Sequence, residues 1–329
     1  MDKKLSELID LAKHIPERYL DKAIDVLREI KSKADAEKPT PVCRNCNSDH
    51  VVRNGLKDGK QRLLCRTCGK TYGETTNTVM QYSHNSETVW RQVIRDTIDG
   101  VSIDITAEAL DLTHQTVFTM RHKILLALEK DLEINPTSLS GVCEADETYV
   151  LESYKGTKLD EGYWRGPRKH GATAQKPGIS NEYVCVCTAT SRDGGAVAKS
   201  VNRATPTGQN IKDVFEGRLD SAALVICDGA KSYDVLEKNG VCHVAHIPKG
   251  NGDNFYNINT TNGFHSFIKD RCRAARNFAT KYLNRYNTLF EKVYRGSKHL
   301  VDEISNKLLD GNNRFNTIVA TKAEGLLKI

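Results

Sequence analysis

No run in this chain approaches the ~18 consecutive apolar residues that cross a bilayer, so a helical membrane protein is excluded. The opening segment, MDKKLSELID, mixes both charge signs and holds no apolar stretch, which argues against a secretion signal. There is no internal repeat and no low-complexity tract. Charge of one sign is also scarce: a net charge of +6 is too mild to name a partner by itself. What remains is a soluble, globular composition, 39% hydrophobic and 27% charged, with room in 329 residues for two or three domains and one sizeable core. Ten cysteines in such a chain suggest a reducing compartment and metal binding or burial rather than disulfides. A cytoplasmic protein with no membrane partner is therefore expected.

The charge is unevenly spread. Residues 43–72 hold seven Lys/Arg against two Asp/Glu, and residues 265–298 hold nine against two, a distribution suited to a polyanion or simply to a solvated surface. Residues 1–40 read as two helices and a linker, ADAEKPTP. The next segment, CRNCNSDHVVRNGLKDGKQRLLCRTCGKTYG, carries two CxxC pairs, Cys43/Cys46 and Cys65/Cys68, 18 residues apart. Two such knuckles joined by short strands close a tetrahedral thiolate site, so residues 41–75 are predicted to be a zinc ribbon. Four thiolates leave no open position, which makes this Zn²⁺ structural.

Residues 85–132 are predicted to be helical, with Gly100 ending the first helix and Thr113 capping a long one. Ala107, Leu110, Leu112 and Val117 have the spacing of a helix-turn-helix core. In that case His114, Gln115, Thr119 and Arg121 face a major groove; an ordinary helical hairpin is the plain alternative. From residue 140 the pattern becomes β-β-β-α-β-α-β-α, a mixed α/β sheet. Cys143, Cys185, Cys187, Cys227 and Cys242 fall in its strands as core residues. Between the first two strands lies a long, basic, glycine-rich loop, residues 154–178, in which Arg168 and Lys169 are candidate DNA contacts.

Two carboxylates stand at strand ends in this region: Asp146 in CEADETY and Asp228 in LVICDG. Two neighbouring acids at a sheet edge call for a cation, and oxygen ligands suit Mg²⁺ or Mn²⁺. Downstream, in NTTNGFHSFIK, Asn262, His265 and Lys269 recur at i, i+3 and i+7, on one helical face. That face is either simply solvated or turned toward the two acids.

On CRNC…CRTC, EADETYV, VICDG and NTTNGFHSFIK, residues 40–290 resemble the DDE-type transposases of bacterial insertion sequences. The match is to the zinc-ribbon branch whose elements are numbered fifteen-ninety-five. The resemblance implies a ribonuclease-H-like catalytic domain over 140–295, followed by a helical tail over 296–329. It implies that Asp146, Asp228 and the residue at 262 hold catalytic Mg²⁺ or Mn²⁺, that Lys269 reaches phosphate, and that His265 stands between them. It implies binding of double-stranded DNA (terminal inverted repeats, then target), metal-dependent strand cleavage and strand transfer, and action as a homodimer or higher homo-oligomer. The family motif commonly reads N-T-x-E-G-F with Lys or Arg seven residues after the Glu. Here Asn262 occupies the Glu position, so a catalytically inactive DNA-binding protein derived from a transposase is the alternative.

Overall fold

The computed structural model describes residues 41–57, 59–156, 165–166, 168, 173–247, 253–275 and 278–309. The expected N-terminal helical segment, Lys169 and the end of the tail lie outside these residues. The chain divides into two compact units, one ending at Gly73 and the other beginning at Glu74.

In the first unit, β1 (Val51–Lys57), β2 (Lys60–Cys65) and β3 (Thr71–Tyr72) pair antiparallel in that order. Lys57 pairs with Lys60, and the tight turn between them uses Gly59 at φ +74°, which glycine adopts without strain. Cys43, Cys65 and Tyr72 are buried, with Val51, Leu63 and Cys68 against them. A core this small needs another tie to stay folded.

The second unit opens with α1 (Glu87–Asp99), α2 (Ile103–Ala109) and α3 (His114–Ile134). Each begins behind a hydroxyl residue: Ser86, Ser102 and Thr113 accept from the N–H of Val89, Ile105 and Thr116. That is how a helix start satisfies its free donors. Gly100 ends α1 at φ +79°, where any side chain would collide with the Arg271 guanidinium.

The remaining elements are β4 (Val142–Leu151), β5 (Tyr183–Ser191), β6 (Ala196–Arg203), α4 (Gly208–Phe215), β7 (Leu224–Cys227), α5 (Asp234–Lys238), β8 (His243–His246), α6 (Asn259–Ala274), α7 (Leu283–Val293) and α8 (Leu300–Leu309). The five strands lie in the order β6-β5-β4-β7-β8. β4, β5 and β6 form an antiparallel meander, and β7 and β8 add parallel on the far side of β4. This is a ribonuclease-H-like sheet. One face, with Ala145, Cys185 and Cys187, is covered by α4 and α5 through Ile211, Phe215 and Leu236. The other, with Val184, Val186 and Ala198, is covered by α6 and α7 through Phe264, Ile268 and Phe290. Cys143, Cys185, Cys187 and Cys227 are buried, free thiols in the strands, and Cys242, expected in a strand, is buried just before β8. β6 is an edge strand, and α7 blunts it: Glu291 and Asn284 accept from the N–H of Ala198 and Ser200, each at 2.8 Å. Among the described residues no helix is long and apolar enough to cross a membrane.

The helical segment over 85–132 differs from the separate domain expected. Trp90, Val93 and Ile94 of α1 and Ile124, Leu125 and Leu128 of α3 share one buried core with the sheet face, α6 and α7. The tail differs likewise, since Ile304, Leu308 and Leu309 of α8 close the same core. The physical reason is the apolar character of α3 on nearly every side between Val117 and Leu128, which only a multi-sided packing can bury.

Trp90 is fully buried. Trp90→Ala should cost about 3–5 kcal/mol, and circular dichroism should show helices and sheet of residues 74–329 unfolding together at a lowered midpoint. A sheet that keeps its wild-type midpoint while the helices melt early would mean two independent domains.

Candidate functional site

The site is built from β4 outward. Side chains alternate along a strand, so Glu144 and Asp146 share one face of the sheet and Glu147 takes the other. Antiparallel pairing sets Thr190 opposite Glu144 and Thr188 opposite Asp146, on that same face. On the other side β7 runs parallel, with Glu144 level with Ile226. Asp146 lies two residues past that last pair, and so does Asp228. The register therefore brings the two acids to one level on adjacent strands, where β7 ends. Gly229 turns the chain away there at φ +94°, and Asp228 is left exposed.

Across this face runs α6, and its start is unusual. The residue at its N-cap, Ile258, offers no side-chain acceptor. The acceptor comes from the sheet instead. Glu144, 0% exposed, takes the N–H of Thr260 at 2.6 Å and of Thr261 at 3.1 Å on one carboxylate oxygen, and the Arg192 Nε at 2.8 Å on the other. A carboxylate at a helix N-terminus satisfies free donors and opposes the positive end of the helix dipole. Its burial is tolerable because every interaction it makes is with a donor or a cation. The Thr261 hydroxyl donates to the Glu144 carbonyl at 2.8 Å and meets the Thr190 hydroxyl at 2.7 Å. Glu144, Arg192, Thr190 and Thr261 were not singled out in the sequence. The available signal was the two-residue spacing of Glu144 and Asp146.

One turn further along α6, His265 is 6% exposed. The Thr188 hydroxyl donates to the Asp146 carbonyl at 2.7 Å and has no second proton, so it accepts from His265 Nε2 at 2.6 Å. This fixes the tautomer. Nε2 carries the proton, and Nδ1 presents a lone pair 3.8 Å from Asp146 Oδ2. Burial, then Lys269, pushes the His265 pKa down to about 4, so the ring is neutral. Burial is also the largest influence on Asp146, whose carboxyl is pushed up to about 6; Asp228 adds to the rise, while the Glu147 N–H and Lys269 oppose it. Asp146, Asp228, His265 and Lys269 thus form one electrostatic cluster. Asn262 and Lys269 are exposed on the same helix, one turn either side of His265. Asp146 and Asp228 repel each other, a repulsion that a divalent cation between them would relieve, while the imidazole lone pair of His265 stands beside Asp146 alone.

The candidate DNA contacts divide. His114 and Gln115 are exposed at the start of α3, with Thr119 half-buried behind Gln115. Arg121 is not on that surface. It is 6% exposed, and its guanidinium donates to the Val101 carbonyl at 2.8 Å, tying α3 to the α1–α2 connection. Arg168 is also committed elsewhere: it holds Glu182 at 2.9 Å and donates to the Glu152 carbonyl. Arg165 and Arg203 meet the buried Glu152 carboxylate in the same network. These arginines neutralise internal acids, an arrangement that a count of basic residues in a loop cannot reveal.

In the first unit Cys43, Cys46, Cys65 and Cys68 bring their four sulfurs within 4.8 Å of one another. Cys43–Cys68 and Cys46–Cys65 are each 3.6 Å apart, close to the roughly 3.8 Å edge of a tetrahedron with 2.3 Å Zn–S bonds. The Cys68 N–H, donated to Cys65 Sγ at 3.5 Å, is the largest cause that pulls the Cys65 pKa down to about 6, toward the thiolate a metal requires. The donor set and its spacing could hold one Zn²⁺.

The sheet thus carries one acid on its first strand and a second just after its fourth, with α6 packed across the face that holds the first. Residues 138–295 match the family profile of the ISXO2-like transposase domain. A Halobacterium salinarum protein, described as an uncharacterized protein in transposable element ISH50, is 24% identical over 212 residues, covering 64% of this chain and 69% of its own length. Among solved structures, a pre-cleavage Mos1 transpososome is 14% identical, covering 70% of this chain and 78% of that chain at a TM-score of 0.26. The Mos1 strand transfer complex is 14% identical, covering 74% and 79% at 0.28.

Two outcomes follow from this geometry. Elemental analysis of protein purified without chelator should find one Zn²⁺ per chain, lost in Cys65→Ser; full zinc in that variant would remove the assignment. Glu144→Ala strands two helix donors and the Arg192 charge, so it should destabilise the second unit by about 3–5 kcal/mol in urea unfolding. A change below about 0.5 kcal/mol, the range of ordinary surface substitutions, would mean that Glu144 does not hold α6.

Proposed function

We propose that this chain is the transposase of an insertion sequence, binding the terminal inverted repeats and carrying out metal-dependent DNA strand cleavage and strand transfer. The observation that carries this reading is the nearness of Asp146 on β4 to Asp228, just past the end of the neighbouring parallel strand β7, with the lone pair of His265 Nδ1 beside Asp146 on a helix pinned by Glu144.

In this proposal Asp146, Asp228 and Asn262 supply oxygen ligands for Mg²⁺ or Mn²⁺, and His265 Nδ1 supplies a nitrogen. A divalent ion bound there contributes Lewis acidity at the scissile phosphate and lowers the pKa of the attacking water. The Thr188 hydroxyl orients the imidazole from behind, as a partner of a metal-ligating histidine does. Lys269, exposed two turns beyond Asn262, holds a phosphate oxygen of the DNA strand as a flexible point charge. An amide at 262 leaves the site one negative charge short of a three-acid site, and the imidazole makes it a mixed N/O set. Both features favour Mn²⁺ over Mg²⁺.

Sequence reading in this proposal rests on the exposed start of α3, through His114 and Gln115, and on the basic ribbon. Joining two element ends requires a dimer or higher oligomer on the DNA. The second reading, an inactive DNA-binding descendant, is favoured by one observation, the amide at 262 in place of an acid.

Manganese-dependent nicking of a duplex carrying the element's end separates the two. The wild-type chain should nick, Asp146→Ala and Asp228→Ala should fall to background, and His265→Ala should bind Mn²⁺ about 10–100-fold more weakly by calorimetry. Asn262→Glu should bind Mn²⁺ at least as tightly as wild type. Nicking by Asp228→Ala at the wild-type rate would sink the metal-site reading, and a wild-type chain that binds the end without nicking it would favour the inactive alternative.

A further inference from the structure

A cavity of about 750 Å³ lies inside the second unit, with α2 and α3 on one side and α7 and the end of α6 on the other. That is the size of a small-molecule pocket. Asp146, Asp228, Asn262 and His265 take no part in its walls, so it is separate from the candidate metal site. The described walls carry four cations, Arg121, Lys155, Arg271 and Lys281, against one acid, Asp104, which is exposed. Several polar groups in them lack a partner. Arg271 is half-buried, its guanidinium pressed against Gly100 and 5.0 Å from the centre of the Phe267 ring. Among the described residues that guanidinium makes no hydrogen bond or ion pair; Asp99 acts on it electrostatically without touching it. His122 is 3% exposed and its Nδ1 is unpartnered, as is the Nε of Arg121. Buried polar atoms are seldom left this way, and buried charges least of all. The remaining wall is largely aromatic. The half-buried rings of Phe118 and Tyr282 tilt against His122 at 4.3 Å and 4.2 Å between centres, and Phe278 stacks on Tyr286 at 3.5 Å.

We propose that this cavity binds a free nucleoside monophosphate. The excess of cations and unpaired donors calls for an anion rich in acceptor oxygens. A carboxylate is matched by a single guanidinium. A phosphate monoester carries close to two charges and three acceptor oxygens, enough to be shared by Arg271, Lys155 and Lys281. The rings of Phe118, Phe278 and Tyr282 suit a planar base, whose ring nitrogens and exocyclic groups can pair with His122 Nδ1 and Arg121 Nε. Burial, then Arg285, Arg121 and Lys281, pushes the His122 pKa down to about 3, so the imidazole meets the base as a neutral partner. Leu289 and Phe290, deep in the wall, are buried. A small molecule reaches them and a double helix does not. The site stands whether or not the chain cleaves DNA.

Calorimetry on the full chain without DNA tests this, with AMP, GMP, CMP and UMP as probes and adenosine and inorganic phosphate as their separate halves. At least one monophosphate should bind at one site per chain with a Kd below about 1 mM, and each half about tenfold or more weaker. Arg271→Gln should weaken that nucleotide about 10–150-fold, the worth of hydrogen bonds to a charged group. Ala274→Trp adds bulk at an exposed position of α6 that lines the cavity, so it should block binding while the melting midpoint holds. Arg273→Gln removes an exposed charge outside the described walls, and should bind as the wild type does. No binding of any of the four would overturn the proposal, and so would inorganic phosphate or adenosine binding as tightly as the nucleotide. Equal loss in Arg273→Gln would mean diffuse attraction, and full binding by Ala274→Trp would place the ligand elsewhere; either result also overturns the site.

Discussion

One buried carboxylate holds the candidate site together. Helix α6 begins without an acceptor of its own, and a helix start left bare in a core would carry several unsatisfied donors. Glu144 reaches across from β4 to take two of them, with Arg192 balancing its charge. Because Glu144 is only two residues from Asp146 on the same strand face, the contact that starts the helix also fixes where Asn262, His265 and Lys269 stand relative to Asp146. The threonine pairs, Thr190 with Thr261 and Thr188 with His265, repeat the connection at one-turn intervals. A shift of α6 by one turn would break all of these at once, so the geometry is held in a single register.

The same economy appears in the rest of the second unit. Residues 85–132 share a core with the sheet, and α8 closes that core from the other end of the described residues. Any DNA read by the start of α3 is thus read by the body that carries Asp146. Charge is used in a comparable way. Arg121, Arg165, Arg168, Arg203 and Arg218 satisfy internal carbonyls or acids, among them Glu152, Glu182 and Glu291. The basic surface open to a polyanion is smaller than composition implies.

Much of this was legible in the residues. The CxxC spacing led directly to the sulfur cluster, Thr113 to the cap of α3, and the alternation of strand and helix to the sheet. Asp228 could be read because it stands where an apolar strand gives way to a charge; Asp146, expected at a strand end, lies in the middle of β4, which runs on to Leu151. Glu144 was harder: in EADE three acids look alike, and only the period of two along the strand separates the pair that faces α6 from Glu147. Arg121 and Arg168 were misplaced because partner choice is a long-range property. The groups that bind them, the Val101 carbonyl and Glu182, are 20 and 14 residues away and carry no mark of the pairing. The shared core was hidden for the same reason, since a helix apolar on all sides reveals that it is buried but not against what.

The central claim is that Glu144 pins α6 so that Asp146, Asp228, Asn262 and His265 surround one cation. Anomalous diffraction at the manganese edge, from crystals of the full chain grown with an end duplex and Mn²⁺, tests it most directly. The account predicts a peak at ligand distance from Asp146 and Asp228, with Asn262 and His265 Nδ1 completing the site and α6 still starting on Glu144. A peak elsewhere, or an empty site in crystals that cleave their DNA, would contradict it.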